Sequence, residues 1–219
     1  MIFEEFYVLL QDFIRFSSMK LVFASNNKHK LGEVRQILPH EIDIISLQEI
    51  GFSQDIDETG ETLEENSEIK AQTIWHWLES HCLIGDIDGV FADDTGLEIT
   101  ALGGAPGVHT ARWASETAND AANRTKALKE LAGIQDRRAQ FRTVITLIMQ
   151  GKKIQVEGVV CGKISDKEEG LGGFGYDPLF IPEGYNDTFA TLPAEVKNNI
   201  SHRGKALENL REVMGYKSF

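Results

Sequence analysis

"KLVFASNNKHKLGEVRQIL", residues 20 to 38, decides the fold. Its first five residues, Lys20 to Ala24, form a short apolar run with the look of a buried strand. The polar stretch that follows leads into apolar residues at Leu31, Val34, Ile37 and Leu38, a helical spacing that Pro39 stops. Strand, polar loop and helix in immediate succession predict an α/β chain.

The pattern continues outward. "IDIISL" predicts a second strand, and "ETLEENSEIKAQTIWHWLESH" (61 to 81) a long helix with acidic residues in its first turns, where the macrodipole favours them. "GVFAD" reads as a strand ending in Asp93-Asp94-Thr95-Gly96, and "LEITAL" as an extended run. A glycine-rich loop and a helix over "NDAANRTKALKELAG" follow. "RAQFRTVITLIMQ" and "KIQVEGVVCGKIS" flank Gly151 and predict a hairpin. "SHRGKALENLREVM" supplies a last helix.

The chain has 219 residues, a formal net charge of −12 and no Pro- or Ser-rich linker, which predicts one compact unit. So acidic a balance argues against nucleic-acid binding, which needs a basic surface to displace counterions. Cys82 and Cys161 lie far apart, with neither disulfide nor zinc-ligand spacing, so a reducing cytoplasm is expected. Residues 1 to 18 are apolar but lack a basic leader and carry Glu4, Glu5 and Asp12. They predict neither a signal peptide nor a membrane span, but an amphipathic helical extension, with Phe3, Phe6, Leu10, Phe13 and Ile14 on one face.

Four segments carry candidate chemistry. In "ASNNKHK", small and amide residues join strand to helix, so Ser25, Asn26, Asn27, Lys28, His29 and Lys30 can surround a phosphate at a helix N-terminus. The spacing is not that of a Walker loop, and a plain capped helix start is the simpler alternative. Asp57 and Glu58 precede the long helix that carries Lys70. As caps they need no ligand, but with Asp93 and Asp94 they offer hard oxygen ligands for Mg²⁺ beside lysines for phosphate. "GLGGFGYDP" (170 to 178) is either a hairpin tip or a place where backbone and Phe174 approach a flat ligand while Asp177 accepts a hydrogen bond. "KNNISHRGKAL" (197 to 207) gathers Lys197, His202, Arg203 and Lys205 in an acidic chain. Ser201 as an N-cap with a solvated basic face is the simpler alternative, but basic residues at a helix start oppose the dipole, which an anionic or oxygen-rich ligand would explain. "DIDGV" (86 to 90) has the form of a phosphatase nucleophile motif but lacks the apolar strand that must precede it.

Together, in this order, "MKLVFASNNKHKLGEV", "DETGETLEENSEIKA", "FADDTGL", "GGAPGVHTARWA", "GGFGYDPLF" and "SHRGKAL" resemble the inosine/xanthosine triphosphate pyrophosphatase family. The resemblance covers the chain from Met19 onward and makes residues 19 to 219 a single nucleoside-triphosphate pyrophosphatase domain; residues 1 to 18 have no counterpart. It implies an α/β fold with a long twisted mixed sheet and a cleft between two lobes, a homodimer, and Mg²⁺-dependent hydrolysis of ITP, dITP or XTP to monophosphate and pyrophosphate. It implies Glu58 and Asp94 as metal ligands, Asp94 as general base with Asp93 supporting it, and the 25 to 30 loop with Lys70 as the triphosphate site. Thr95 stands where many members have serine. Phe174, Gly175, Tyr176 and Asp177 match the base-binding loop, with Lys197, His202 and Arg203 as further substrate contacts, the last two as donors to the purine six-oxygen. Related pyrophosphatases of the Maf type, acting on other bases, and a nucleotide sensor without turnover are the alternative readings.

Overall fold

A computed structural model of the chain describes residues 19–215; the helix expected over residues 1 to 18 lies outside them. Strand β1 (Met19–Phe23) leads through a four-residue loop into helix α1 (Lys28–Ile37), and β2 (Ile42–Ser46) returns parallel to β1. Helix α2 (Leu63–Ser80) starts at a reciprocal cap. Thr62 accepts from the Glu65 N–H, and Glu65 reaches back to the Thr62 N–H. The rest is β3 (Gly89–Ile99), β4 (Pro106–Gly107), α3 (Asp120–Glu130), β5 (Arg138–Met149), β6 (Lys152–Ile164), β7 (Phe180–Pro182), α4 (Ala194–Ile200) and α5 (His202–Val213).

Among the described residues these strands form one mixed seven-stranded sheet in the order β2-β1-β3-β5-β6-β7, with β4 on the edge of β3. β1 lies parallel to β2 and β3, and the remaining pairs are antiparallel. The expected β5–β6 hairpin closes at Gln150-Gly151, both at positive φ, as a two-residue turn requires.

β3 differs from the sequence reading. Asp93-Asp94-Thr95-Gly96 does not end the strand but continues it, because β5 pairs with every residue from Gly89 to Ile99. Gly96 is needed there: a Cβ would stand 2.9 Å from the Gly107 carbonyl oxygen. Helix α4 is also additional to the elements read from sequence.

Alternation along β1 and β3 divides the core. Leu21, Phe23 and Phe91 pack with α1 and α5 through Val34, Leu38, Ala206, Leu207 and Leu210. Val22, Ala24, Val90 and Ala92 face α2 through Ala71, Ile74 and Leu78. A third cluster fills the other half of the molecule, joining Leu97, Ile99, Phe141 and Phe180 to Ala127 and Leu131. The start of α5 rests directly on the sheet. A Cβ on Gly158 of β6 would fall 2.1 Å from the His202 carbonyl oxygen and 2.3 Å from the Ala206 nitrogen.

Candidate active site

β1 pairs with β3 only as far as Phe91, and β4 takes up the same edge at Leu97 and Glu98. Between them, among the described residues, the edge of β3 around Asp93 to Thr95 has no strand beside it, and the chain leaving β1 turns away into α1. The opening lies at the carboxyl ends of parallel strands, where α/β sheets bind ligands.

The turn is built by Asn27, whose Oδ1 accepts from the His29 and Lys30 N–H groups at 2.9 and 3.1 Å while its own N–H donates to Ser25 Oγ. Capping points the first turn of α1 toward the gap. Lys30 Nζ reaches Asp93 Oδ1 at 3.0 Å, whereas Asn26 and Lys28 are exposed at the rim.

Asp93 and Asp94 are both buried, and their partners come from different sides. Asp93 Oδ2 accepts from Arg203 Nε and Nη2 at 3.1 and 3.0 Å, and Thr95 shares its hydroxyl among Asp93, Arg203 and Thr143. Burial opposes the Asp93 charge, but Lys30 and Arg203 outweigh it and hold the carboxyl well below the ordinary carboxylate range. Asp94 Oδ1 accepts from Lys70 Nζ at 2.9 Å, and Lys70 also donates to Glu58 at 2.8 Å. Asp94 Oδ2 is buried and has no hydrogen-bond partner among the described residues. Burial raises the Asp94 pKa against the pull of Lys70 and Lys30, while at Glu58 the cations prevail over burial and lower it.

Those two carboxylates suit Mg²⁺. Among the described residues no three His, Cys, Asp or Glu side chains converge into a ready-made cage. Mg²⁺ keeps several waters and takes one or two carboxylates plus phosphate oxygens, and Asp94 Oδ2 offers an unsatisfied hard ligand beside Glu58.

On the other side of the gap Phe174 stacks on His29, with ring centroids 5.3 Å apart and planes 17° apart. Its N–H donates to Asp177 Oδ2 at 2.9 Å. Asp177 pairs with Lys197 at 2.7 Å, Lys197 with Glu33 at 2.7 Å, and Glu33 with Arg203. His202 is buried against Phe141, centroids 4.6 Å apart, and its Nδ1 has no partner among the described residues. Burial, followed by Arg203 and Lys197, pushes its pKa well below the usual value. The basic start of α5 therefore opposes no unanswered dipole: Asp93 and Glu33 neutralise Arg203.

Sequence reasoning missed Glu33, Arg112 and Thr143. Glu33 is the acidic residue one turn after Lys30, following the basic first turn of α1, a signal that was readable. Arg112 reaches Glu58 at 3.5 Å from a short 3-10 turn, and Thr143 positions Thr95 from β5. Asp120 and Arg124 of α3 hold Gly175 by its N–H and carbonyl. Tyr176 lies away from the gap. Its ring is in the third core cluster and its hydroxyl donates to the Thr110 carbonyl at 3.1 Å. A cavity of about 650 Å³ bounded by Thr100, Arg138, Cys161 and Tyr185 contains none of the site residues named above.

A sequence model of the Ham1 family matches residues 21–213. The chain is similar to the dITP/XTP pyrophosphatase of Flavobacterium johnsoniae, with 46% identity over 196 residues, 90% of this chain and 98% of that protein. To the dITP/XTP pyrophosphatase of Porphyromonas gingivalis it is 47% identical over 89% of this chain and 97% of that protein. The solved Ham1 protein of Staphylococcus aureus superposes with a TM-score of 0.78 at 38% identity, covering 90% of this chain and all of that one.

Proposed function

From the premise that the chain belongs to the Ham1 family, we propose that it hydrolyses the non-standard purine nucleoside triphosphates ITP, dITP and XTP to the monophosphate and pyrophosphate, as an Mg²⁺-dependent enzyme that removes them from the nucleotide pool. The observation that carries this reading is Asp94 Oδ2, a buried carboxylate oxygen left without a partner among the described residues at the open edge of β3, beside Lys70 and Glu58.

In this reading the triphosphate lies along the gap, its anionic end against the first turn of α1, Lys30 and Lys70. Its base stacks on Phe174 in place of His29, near Lys197, Arg203 and His202. A water beside Asp94 attacks the α-phosphorus, the bond to the bridging oxygen breaks, and pyrophosphate leaves; Asp94 orients the water and takes its proton. Held by Glu58 and Asp94, Mg²⁺ would supply charge neutralisation at the phosphates. Lys70 supports this arrangement because it already balances both carboxylates and can turn from them to phosphate.

Base preference follows from buried donors. An oxygen on the purine six-position satisfies them, whereas the amino group of adenine leaves them unpaired. The same reading carries a homodimer and a reducing cytoplasmic location. Both cysteines are free and exposed, which supports the second. Among the described residues no helix is long and apolar enough to cross a membrane.

The test is a Mg²⁺ assay over ITP, dITP, XTP and the standard triphosphates with separate detection of pyrophosphate and orthophosphate. Pyrophosphate from ITP, dITP or XTP is expected, and orthophosphate as the first product would overturn the assigned bond cleavage. A solution mass measurement reads the dimer.

A further inference from the structure

We propose that Arg112 is a further substrate-binding residue of this site: its guanidinium takes phosphate oxygens of the triphosphate, and Glu58 keeps it at the gap until they arrive. The inference rests on the function proposed above and deepens it by naming an additional contact between the site and the polyphosphate chain.

The short turn that carries Arg112, Thr110–Arg112, is fixed from several sides. Asn123 of α3 is buried; its Nδ2 donates to the Thr110 and Ala111 carbonyls at 3.3 and 2.9 Å, and its Oδ1 accepts from the Ala114 N–H at 2.8 Å. The Thr110 hydroxyl donates to the Gly107 carbonyl and accepts from the Leu97 N–H on β3. Lys126 donates to the Trp113 carbonyl, and the Tyr176 hydroxyl to that of Thr110. The backbone on both sides of Arg112 is thereby tied to β3 and α3, so its side chain leaves from a rigid base. The same helix holds Gly175, next to Phe174, through Asp120 and Arg124. Arg112 and the base platform therefore share one support, which sets their separation.

Among the described residues, five cations touch the carboxylates of the site, and four of them, Lys30, Lys70, Lys197 and Arg203, do so through hydrogen bonds. Arg112 differs. Its Nη2 stands 3.5 Å from Glu58 Oε2, longer than an ordinary N–H···O bond, and its half-exposed side chain makes no hydrogen bond among the described residues. A guanidinium presents its donors as a planar fork that matches two phosphate oxygens at once. The other four must give up bonds to carboxylates before they can take phosphate, whereas Arg112 gives up only a loose ion pair. Where Glu58 is engaged by Mg²⁺, as the proposed function has it, even that pair is released. Charge points the same way. The five cations face five carboxylates, Glu33, Glu58, Asp93, Asp94 and Asp177, so the site is formally neutral with Arg112 and negative without it. In a chain of net charge −12, a site for a polyanion depends on that last cation.

The experiment titrates wild type, Arg112→Ala and Arg112→Lys with inorganic tripolyphosphate in a calorimeter, without and with Mg²⁺, and measures kcat/KM for ITP and ATP beside it. Arg112→Ala should weaken tripolyphosphate binding in both titrations by about tenfold to a hundredfold. It should lower kcat/KM for ITP and ATP by one shared factor, since the two substrates have the same phosphates. Arg112→Lys keeps the charge without the fork and should recover part of the loss. Tripolyphosphate affinity within about twofold of wild type in Arg112→Ala would overturn the proposal. That holds even if the Mg²⁺ requirement moves, because a residue that only braces Glu58 would shift the metal requirement and leave metal-free binding alone. A loss on ITP well beyond that on ATP would also overturn it, by placing Arg112 with the base. Should Arg112→Ala fail to fold, Arg112→Lys decides alone: weakened tripolyphosphate binding supports the role and wild-type affinity refutes it. Failure of the functional reading is separate, as absence of pyrophosphate from ITP, dITP and XTP with the wild-type enzyme; the tripolyphosphate titrations need no turnover and still read Arg112.

Discussion

Asp93 and Asp94 are consecutive in β3, yet their carboxylates serve opposite faces of the sheet. Asp93 is bound by Lys30 of α1 and Arg203 of α5, and Asp94 by Lys70 of α2. A strand alternates its side chains, so two identical residues one position apart acquire different tasks.

Their amide variants should therefore fail differently. Asp94→Asn should fold with near-normal stability and lose turnover by about a hundredfold or more, since in the proposed reaction it removes a base and a metal charge. Asp93→Asn leaves Lys30 and Arg203 short of a buried countercharge and should lose about 3–5 kcal/mol of stability. Denaturant unfolding beside steady-state kinetics separates them. Near-normal kcat in Asp94→Asn would remove Asp94 from both roles.

Glu58→Gln should raise the Mg²⁺ concentration needed for half-maximal rate while leaving the saturated rate closer to wild type. A Mg²⁺ titration reads this directly. An unchanged titration curve would move the metal ligand to Asp57 or elsewhere.

Arg203→Leu removes donors near the base and also breaks the pairs to Asp93 and Glu33. Two effects are expected: a lower melting temperature, and a loss of kcat/KM for ITP of about tenfold to a hundredfold that exceeds the loss for ATP. If both substrates fall by one factor, Arg203 acts on structure or phosphate alone and base reading belongs to the surroundings of Phe174 and Asp177.

His202 gives a pH dependence with a definite sign. Its folded pKa is depressed below the ordinary 6.5, so the unfolded chain takes up a proton that the folded chain refuses. Stability from this group is whole above pH 6.5 and declines as the pH falls below it. His202→Phe, which preserves stacking on Phe141, should show a flatter melting temperature between neutral pH and pH 5 than wild type. Parallel curves would show that His202 is not the titrating group.

Much of this site was legible because its parts are local. The strand-loop-helix of residues 20 to 38, the acidic start of α2 and the basic start of α5 each announce themselves within a dozen residues. What was not legible is whatever depends on a distant partner. Asp93 to Gly96 read as the end of a strand because Asp, Thr and Gly favour turns, and only pairing with β5 carries the strand on through them. Tyr176 sits beside Phe174 in sequence, but its ring points into the core cluster formed with Phe141 and Phe180. Glu33 gains its meaning from Lys197 and Arg203, both contributed by the opposite end of the chain.

Gly158 touches no candidate ligand, but it sets the height at which the first turn of α5 sits on the sheet. Any side chain there would lift His202 and Arg203 together, since the obstacle is backbone on both sides and cannot rotate away. In genetic terms the chain carries a silent-looking codon, some forty residues in sequence from the basic motif it supports, at which even an exchange to alanine would behave as a loss of base recognition.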